Sequence, residues 1–262
     1  GLVPLTHEAI TQAIEMNGAA VKANREAFEM GRWAVENPGE VERLTKPNVI
    51  ALPKTLDEKI AYREGHLEAY GGKRLAKRYR ALVDKVQDPR LKEAVAKGYH
   101  KLLSYKDEYE VARLHLETEA KARETFGGDF RMSYHLAPPL IPGKDANGRP
   151  KKREFGPWMG GAFKVLSKMR FLRGTWLDPF GHSAERKMER ALIRDYERDM
   201  GLWLPDATPE RMDAMVALAE LPLQIRGFGT VKDANAEKAA RQRANLLAVL
   251  QSGGAPVAQA AE

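Results

Sequence analysis

LAKRYRALVDKVQDPRLKEAVAKGYHKLLSYKDEYEVARLHL (residues 75–116) decides the fold class. Leu75, Tyr79, Leu82, Val83 and Val86 recur at three- and four-residue intervals, which places apolar side chains on one face of an α-helix. Asp88-Pro89 interrupts the stripe, because proline has no N–H to continue the helical ladder. The pattern resumes as Leu91, Ala94, Val95, Tyr99, Leu102 and Leu103, then runs on through Tyr105, Tyr109, Ala112 and Leu116. One long or kinked helix is expected across this arm.

Upstream, Thr55 and Glu58 have the spacing of a capping box and predict a helix start. Residues 38–54 hold three prolines and read as a linker or wrapping segment. Ile10, Ala13, Ile14, Ala20, Val21, Ala27, Phe28 and Val35 predict a single helix over 6–36, ended by Asn37-Pro38.

Downstream, Gly127-Gly128 closes the helical block and the period changes. Phe130, Met132, Tyr134 and Leu136 alternate with Arg131, Ser133 and His135, the signature of a half-buried strand. Pro138, Pro139 and Pro142 stop it, Asn147-Gly148 is a turn dipeptide, and residues 151–155 are expected to return as its partner. Helices are expected over 159–172, over 183–200 with Ser183 as N-cap, from Thr208-Pro209-Glu210 to about 226 with a kink at Pro222, and over 231–250. The tail SGGAPVAQAAE has too little apolar bulk to pack and is expected to be disordered. No internal repeat is present. The expected architecture is mainly α, a multi-helix domain with a small β-hairpin insertion around residues 130–155. Residues 1–37 form an opening helix, 38–54 a linker, 55–251 the helical domain and 252–262 a tail.

With 262 residues, 43% hydrophobic and 30% charged, the chain has the composition of a globular protein large enough for a substantial core. No apolar run approaches the roughly 20 residues of a membrane-spanning helix, and no basic-then-apolar secretory signal opens the chain. A cytoplasmic location with no membrane partner is expected. The first residue is Gly1 rather than Met, which suggests a piece of a longer chain. The absence of cysteine excludes disulfides, thiolate nucleophiles and cysteine-ligated iron–sulfur or zinc sites within this chain.

The formal net charge is +7, and nine Lys/Arg fall between Lys144 and Arg173 against only Asp145 and Glu154. Lys144, Arg149, Lys151, Lys152 and Arg153 lie on or near the expected hairpin, with Phe155 and Trp158 close behind. Lys151, Lys152, Arg153 and Trp158 are the candidate partner-docking residues. Basic groups interleaved with aromatics also suit phosphates and stacked bases, so the alternative is a basic nucleic-acid-binding helical module. No recognised nucleic-acid motif accompanies them, which favours a solvated or domain-contacting surface. Lys73, Arg74, Lys77, Arg78 and Arg80 follow helical spacing and read as a solvated face.

Catalytic signatures are absent. The six histidines form no i, i+4 pair and no HExxH, so surface or singly bonded histidines are expected. Gly227-Phe228-Gly229 lacks the third glycine of a dinucleotide fingerprint and reads as a turn between helices. No G-x-S-x-G elbow occurs. Carboxylates such as Glu108, Glu154 and Asp178 are expected to be solvated or paired, with Lys106 and Glu110 one expected helical pair. No catalytic, cofactor-binding or metal-ligating residue is assigned.

Several irregular strings resemble one family in the same order: YKDEYEVARL (105–114), YHLAPPL (134–140), KREFGPWM (152–159), LRGTWLDPFG (172–181), AERKMERALIRDYE (184–197) and LPLQIRGFGTVKDANA (221–236). They look like the C-terminal region of fused indolepyruvate ferredoxin oxidoreductases, with similarity from about residue 58 to 250. AIEMNGAAVKANREAFEMGR (13–32) looks like the end of the gamma-type domain that precedes this region. The resemblance implies an enzyme that oxidatively decarboxylates 2-oxoacids to acyl-CoA, using thiamine diphosphate, Mg²⁺, iron–sulfur clusters and CoA. This chain carries no cysteine and no thiamine-diphosphate motif, so no cofactor is expected within it and no catalytic residue is transferred. It is expected to be an accessory domain of an oligomeric enzyme. Its expected partners are the catalytic domains, and ferredoxin is a candidate for the basic hairpin.

Overall fold

Gly18 ends the first helix well before the apolar pattern of the opening segment runs out. In the computed structural model, which describes residues 4–45, 53–127, 130–137, 143, 151–227 and 229–254, the chain divides into two compact units at residues 52/53. The first contains α1 (His7–Asn17), α2 (Val21–Glu36) and α3 (Pro38–Thr45). Thr6 caps α1 by accepting from the Ala9 N–H at 3.2 Å, and Gly18 at φ 68° closes it. Ala20 is also left-handed, with φ 45°. The single expected helix over 6–36 is therefore two. Glycine inside a helix costs about 1 kcal/mol relative to alanine, while it takes the left-handed closing position without a Cβ penalty. The pair is held by His7 stacked on Phe28 at 5.6 Å and by Arg25 with Glu15 at 2.8 Å. None of its described helical residues is buried. α3 occupies the start of the stretch that reads as a linker, because proline at a helix's first position loses only an N–H that would have no partner there.

The second unit begins with α4 (Leu56–Gly71), started by the expected capping box of Thr55 and Glu58. It continues with α5 (Lys73–Val83), α6 (Pro89–Leu103) and α7 (Glu108–Phe126). The arm 75–116 thus contains three helices, not one. Asp88 accepts from Leu91 N–H at 2.9 Å to open α6 behind Pro89, and Asp107 accepts from Glu110 N–H at 2.8 Å to open α7. Two carboxylates, each with a β-region backbone, restart the chain in new directions.

β1 (Tyr134–Leu136) and β2 (Arg153–Phe155) pair antiparallel, with Tyr134 opposite Phe155, His135 opposite Glu154 and Leu136 opposite Arg153. The strand is shorter than the alternating run from 130 implies. Pro138, Pro139, Pro142 and the Asn147-Gly148 turn lie outside the described residues, as do residues 255–262 of the tail. α8 (Met159–Lys168) passes into a 3₁₀ turn (Met169–Leu172), and α9 (Ala184–Trp203) starts at Ser183, whose hydroxyl accepts from Arg186 N–H at 3.3 Å.

Thr208-Pro209 does not open an α-helix. Arg211 N–H bonds Thr208 C=O at 3.1 Å to make a turn, and α10 (Met212–Glu220) follows. Pro222 sits in a 3₁₀ turn (Leu221–Gln224) that separates α10 from α11 (Thr230–Gln251), so the expected kinked helix to 226 is replaced by a break.

α6 is the centre of the main core. Leu91, Ala94, Val95, Tyr99, Leu102 and Leu103 are all buried, against α4, α5, α9 and α10. Gly98 lets α10 come close, since a Cβ there would stand 2.0 Å from the Ala219 carbonyl oxygen. Tyr79, Tyr99 and Tyr196 stack in series, with ring centroids 6.0 and 5.6 Å apart. Tyr79 donates to Ala96 C=O and Tyr196 to Ala219 C=O, each at 3.2 Å, so the polar tips of these buried rings are satisfied. The protein is mainly α-helical with one small β-hairpin, and among the described residues no helix is long and apolar enough to cross a membrane.

Candidate functional site

A second, smaller core of Ala112, Tyr134, Met159 and Phe163 fastens the hairpin to α7 and α8. Phe163 stacks on His115 at 4.8 Å and meets Tyr134 edge-on at 5.1 Å, while Tyr134 donates to Glu119 at 3.2 Å. Burial and nearby Lys106 lower the His115 pKa. Phe155 is half-buried against this core and so is not a free stacking platform. Of the candidate docking residues, Lys151, Lys152 and Arg153 are exposed at and before the start of β2. Trp158 is 66% exposed just before α8, its ring 6.0 Å from that of Phe155. All four therefore present side chains to solvent on one short stretch. Lys144 and Arg149 lie outside the described residues.

The loop after α8 is built differently, from buried polar clamps below and exposed apolar groups above. Arg173 reaches down to Asp107, its Nη2 donating to Oδ1 at 3.0 Å and its Nε to Oδ2. The same guanidinium donates to Tyr70 C=O at 2.9 Å and lies 3.7 Å from the centre of the Tyr70 ring. Asp178 is only 4% exposed and accepts from Tyr109 Oη at 2.9 Å, Gly174 N–H at 2.8 Å and Phe180 N–H at 3.1 Å. Arg190 donates to Gly181 C=O at 2.7 Å, and a Cβ on Gly181 would stand 2.7 Å from Asp178. Burial and then Asp107 raise the Tyr70 pKa, while burial and the Asp178 hydrogen bond raise that of Tyr109, so both phenols stay neutral.

On its outer side this segment displays Phe171, Trp176 and Leu177, the two aromatics 75% and 81% exposed. Phe and Trp expose so much apolar area that leaving them in water forgoes a few kcal/mol of burial, about 25 cal/mol per Å². A loop fixed by two carboxylates and two arginines, yet turned apolar side outward, has the anatomy of an interaction surface. The basic excess over 144–173 stands out in the sequence and puts Lys151, Lys152, Arg153 and Trp158 forward, while Phe171, Trp176 and Leu177 are not among the candidates. The strings WLDPF and LRGT carried the signal, as Asp and Arg flanking Trp and Phe without helical period.

Lys106 does not pair with Glu110, because it precedes the N-cap Asp107 and stands outside α7; Glu110 is instead held by Arg113 at 2.6 and 2.8 Å. Glu154 is exposed, whereas Glu108 is partly buried 3.6 Å from Arg186 and its pKa is raised by burial. The face of Lys73, Arg74, Lys77, Arg78 and Arg80 is solvated as expected, four of the five being exposed, with surface pairs from Arg78 to Glu197 at 2.7 Å and from Arg80 to Asp84 at 3.0 Å. His66 and His100, 34 positions apart, share a 3.0 Å hydrogen bond that spacing along one helix had no means to reveal. Among the described residues no three His, Cys, Asp or Glu converge to hold a metal, and without cysteine the chain has no donor set for iron–sulfur clusters. Gly227 and Gly229, with φ 97° and 55°, form the turn into α11, and Phe228 between them lies outside the described residues.

The chain belongs to the family of unknown function DUF6537, whose model matches residues 56–245. No curated protein and no solved structure matches it.

Proposed function

We propose that this member of the family is the C-terminal accessory and interface domain of a thiamine-diphosphate-dependent 2-oxoacid:ferredoxin oxidoreductase of the indolepyruvate type. Its chemistry would lie in other domains, and its task would be docking. The observation that carries the docking role is the clamped loop 171–177, which holds Phe171, Trp176 and Leu177 exposed on a frame made of the buried Arg173–Asp107 pair and the hydrogen-bonded Asp178. A frame of this kind lowers the entropy lost when a partner covers the aromatics. The reaction class rests on the similarity of strings 105–114, 134–140, 152–159, 172–181, 184–197 and 221–236 to that enzyme family. The first unit would be the end of the preceding gamma-type domain. Its lack of buried residues suits a segment whose apolar stripe of Ile10, Ile14, Val21 and Phe28 is covered by further chain.

The catalytic domains of the same enzyme are the proposed occupants of the aromatic loop. Acidic ferredoxin is the proposed partner of Lys151, Lys152 and Arg153, where opposite charge would steer encounter. The test is the whole oxidoreductase assayed for indolepyruvate-dependent ferredoxin reduction. Phe171→Ala/Trp176→Ala is expected to loosen assembly or lower turnover, and Lys151→Glu/Lys152→Glu/Arg153→Glu to raise the KM for ferredoxin at low salt. Unchanged assembly and turnover in the first variant refute the docking role. Unchanged ferredoxin affinity in the second refutes the steering role.

A further inference from the structure

A cleft of about 250 Å³ lies between the end of α6, the start of α9 and the segment leading into α11. Its polar lining consists of Lys101, Lys106, Arg226 and Lys232 against Glu185 and Glu189. Both carboxylates are already committed to one cation: Lys232 lies 3.1 Å from Glu185 and also bonds Glu189, which Arg186 grips from behind at 2.5 Å. Among the described residues Lys101, Lys106 and Arg226 have no carboxylate partner. The remaining wall is apolar, with Leu102, Leu192, Pro222 and Ile225 beside the Tyr105 ring.

We propose that this cleft binds an organic phosphate monoester, with Lys101, Lys106 and Arg226 taking the phosphate and Leu102, Leu192 and Ile225 the organic substituent. Four cations against two carboxylates leave a surplus of two positive charges, which a phosphate dianion neutralises and a carboxylate only halves. Ammonium groups on flexible stems meet phosphate oxygens as mobile point charges, and Arg226 adds a planar fork. Burial, then Lys232 and Arg226, lower the Lys101 pKa, as expected of a cation lacking its counter-ion. The turn through Gly227 and Gly229 brings α11 to the cleft with no capping side chain on its first N–H groups, which adds to the positive field. Asp233, in the first turn of α11, is exposed and does not line the cleft. The three cations stand exposed at the rim of the cleft while Leu102, Pro222 and Ile225 are buried in its wall, and this pairing of rim charge with an apolar wall favours an amphiphilic ligand over a free ion. The proposal is independent of the docking role, since the two surfaces share no residue.

The test is calorimetric titration of the full chain with phenyl phosphate at pH 7.5 and low salt. Phenyl phosphate is expected to bind about tenfold or more tightly than either benzoate or inorganic phosphate. Lys101→Gln is expected to weaken it about tenfold. Glu185→Gln, which removes a competing carboxylate, is expected to tighten it, an outcome that damaged folding does not mimic. Should Lys101→Gln fail to fold by circular dichroism, Arg226→Gln replaces it with the same expectation. No binding, equal affinity for benzoate or inorganic phosphate, or affinity indifferent to both Lys101→Gln and Glu185→Gln overturns the proposal.

Discussion

Replacing Arg173 by Met keeps the aliphatic stem and its packing on Tyr70 but removes the charge that faces Asp107. The Asp107 side chain is 3% exposed and that of Arg173 11%, so water has little access to either. Without the guanidinium, Asp107 keeps its capping bond from Glu110 N–H but loses both contacts with Arg173, and Tyr70 C=O loses its 2.9 Å donor. Breaking one side of a buried ion pair costs about 3–5 kcal/mol, far above the ~0–1 kcal/mol of a surface pair. For a unit of this size, each kcal/mol lowers Tm by about 2–4 °C, so a fall on the order of 10 °C is expected. Thermal unfolding measures the Tm and urea unfolding followed by tryptophan fluorescence the free energy, with Asp107→Asn and the double variant closing the cycle. The double variant strands no charge and is expected to be more stable than the sum of the single losses implies. A cost below about 1 kcal/mol for Arg173→Met, or strict additivity in the cycle, refutes the clamp as a buried, coupled pair.

Gly98→Ala is expected to destabilise by roughly 2–3 kcal/mol despite alanine's better helix propensity, because the new Cβ meets the Ala219 carbonyl at 2.0 Å. In the same urea assay Gly65→Ala, with nothing within 4 Å, is expected to stabilise by about 0.5–1 kcal/mol; the reverse order would refute the close α6–α10 approach. Burial, then His66, Arg63 and Lys101, push the His100 pKa down to about 4 from its ordinary 6.5. The folded state therefore resists protonation that the unfolded chain accepts, and this contribution, complete above pH 6.5, is lost as pH falls toward 4. Denaturant midpoints taken across that window are expected to fall more steeply for the wild type than for His100→Gln, and parallel curves would refute it. Trp176→Ala, at an 81% exposed position, is expected to leave stability within about 0.5 kcal/mol by the same unfolding measurement, and a loss above 2 kcal/mol would show the ring to be structural.

Local rules were legible wherever a few neighbouring residues settle the outcome. The capping box at Thr55, the N-cap at Ser183, the α8 start at Met159 and the period-two segment at Tyr134–Leu136 all follow from contacts within one turn or one strand pair. Breaks were harder to place. The periodic stripe continues across Gly18 and across Ser104–Asp107 because each helix carries its own apolar face: α6 turns Leu102 and Leu103 to the main core while α7 turns Ala112 to the smaller one, so periodicity alone reads two or three helices as one. Thr208-Pro209 carried a valid start signal that the chain answered with a turn.

Sequence by itself determined a mainly helical chain with a small hairpin, no cysteine chemistry and a basic middle segment, because composition and short-range periodicity are properties of neighbours along the chain. Tertiary structure alone decided what those residues do to one another. Arg173 meets Asp107 across 66 positions, Tyr109 meets Asp178 across 69, and Lys232 meets Glu189 across 43. These long-range pairings turn the aromatics of 171–177 outward on a fixed frame and leave Lys101 facing other cations across a cleft. Such charge pairing depends on distance through the folded interior, which spacing along the sequence does not encode.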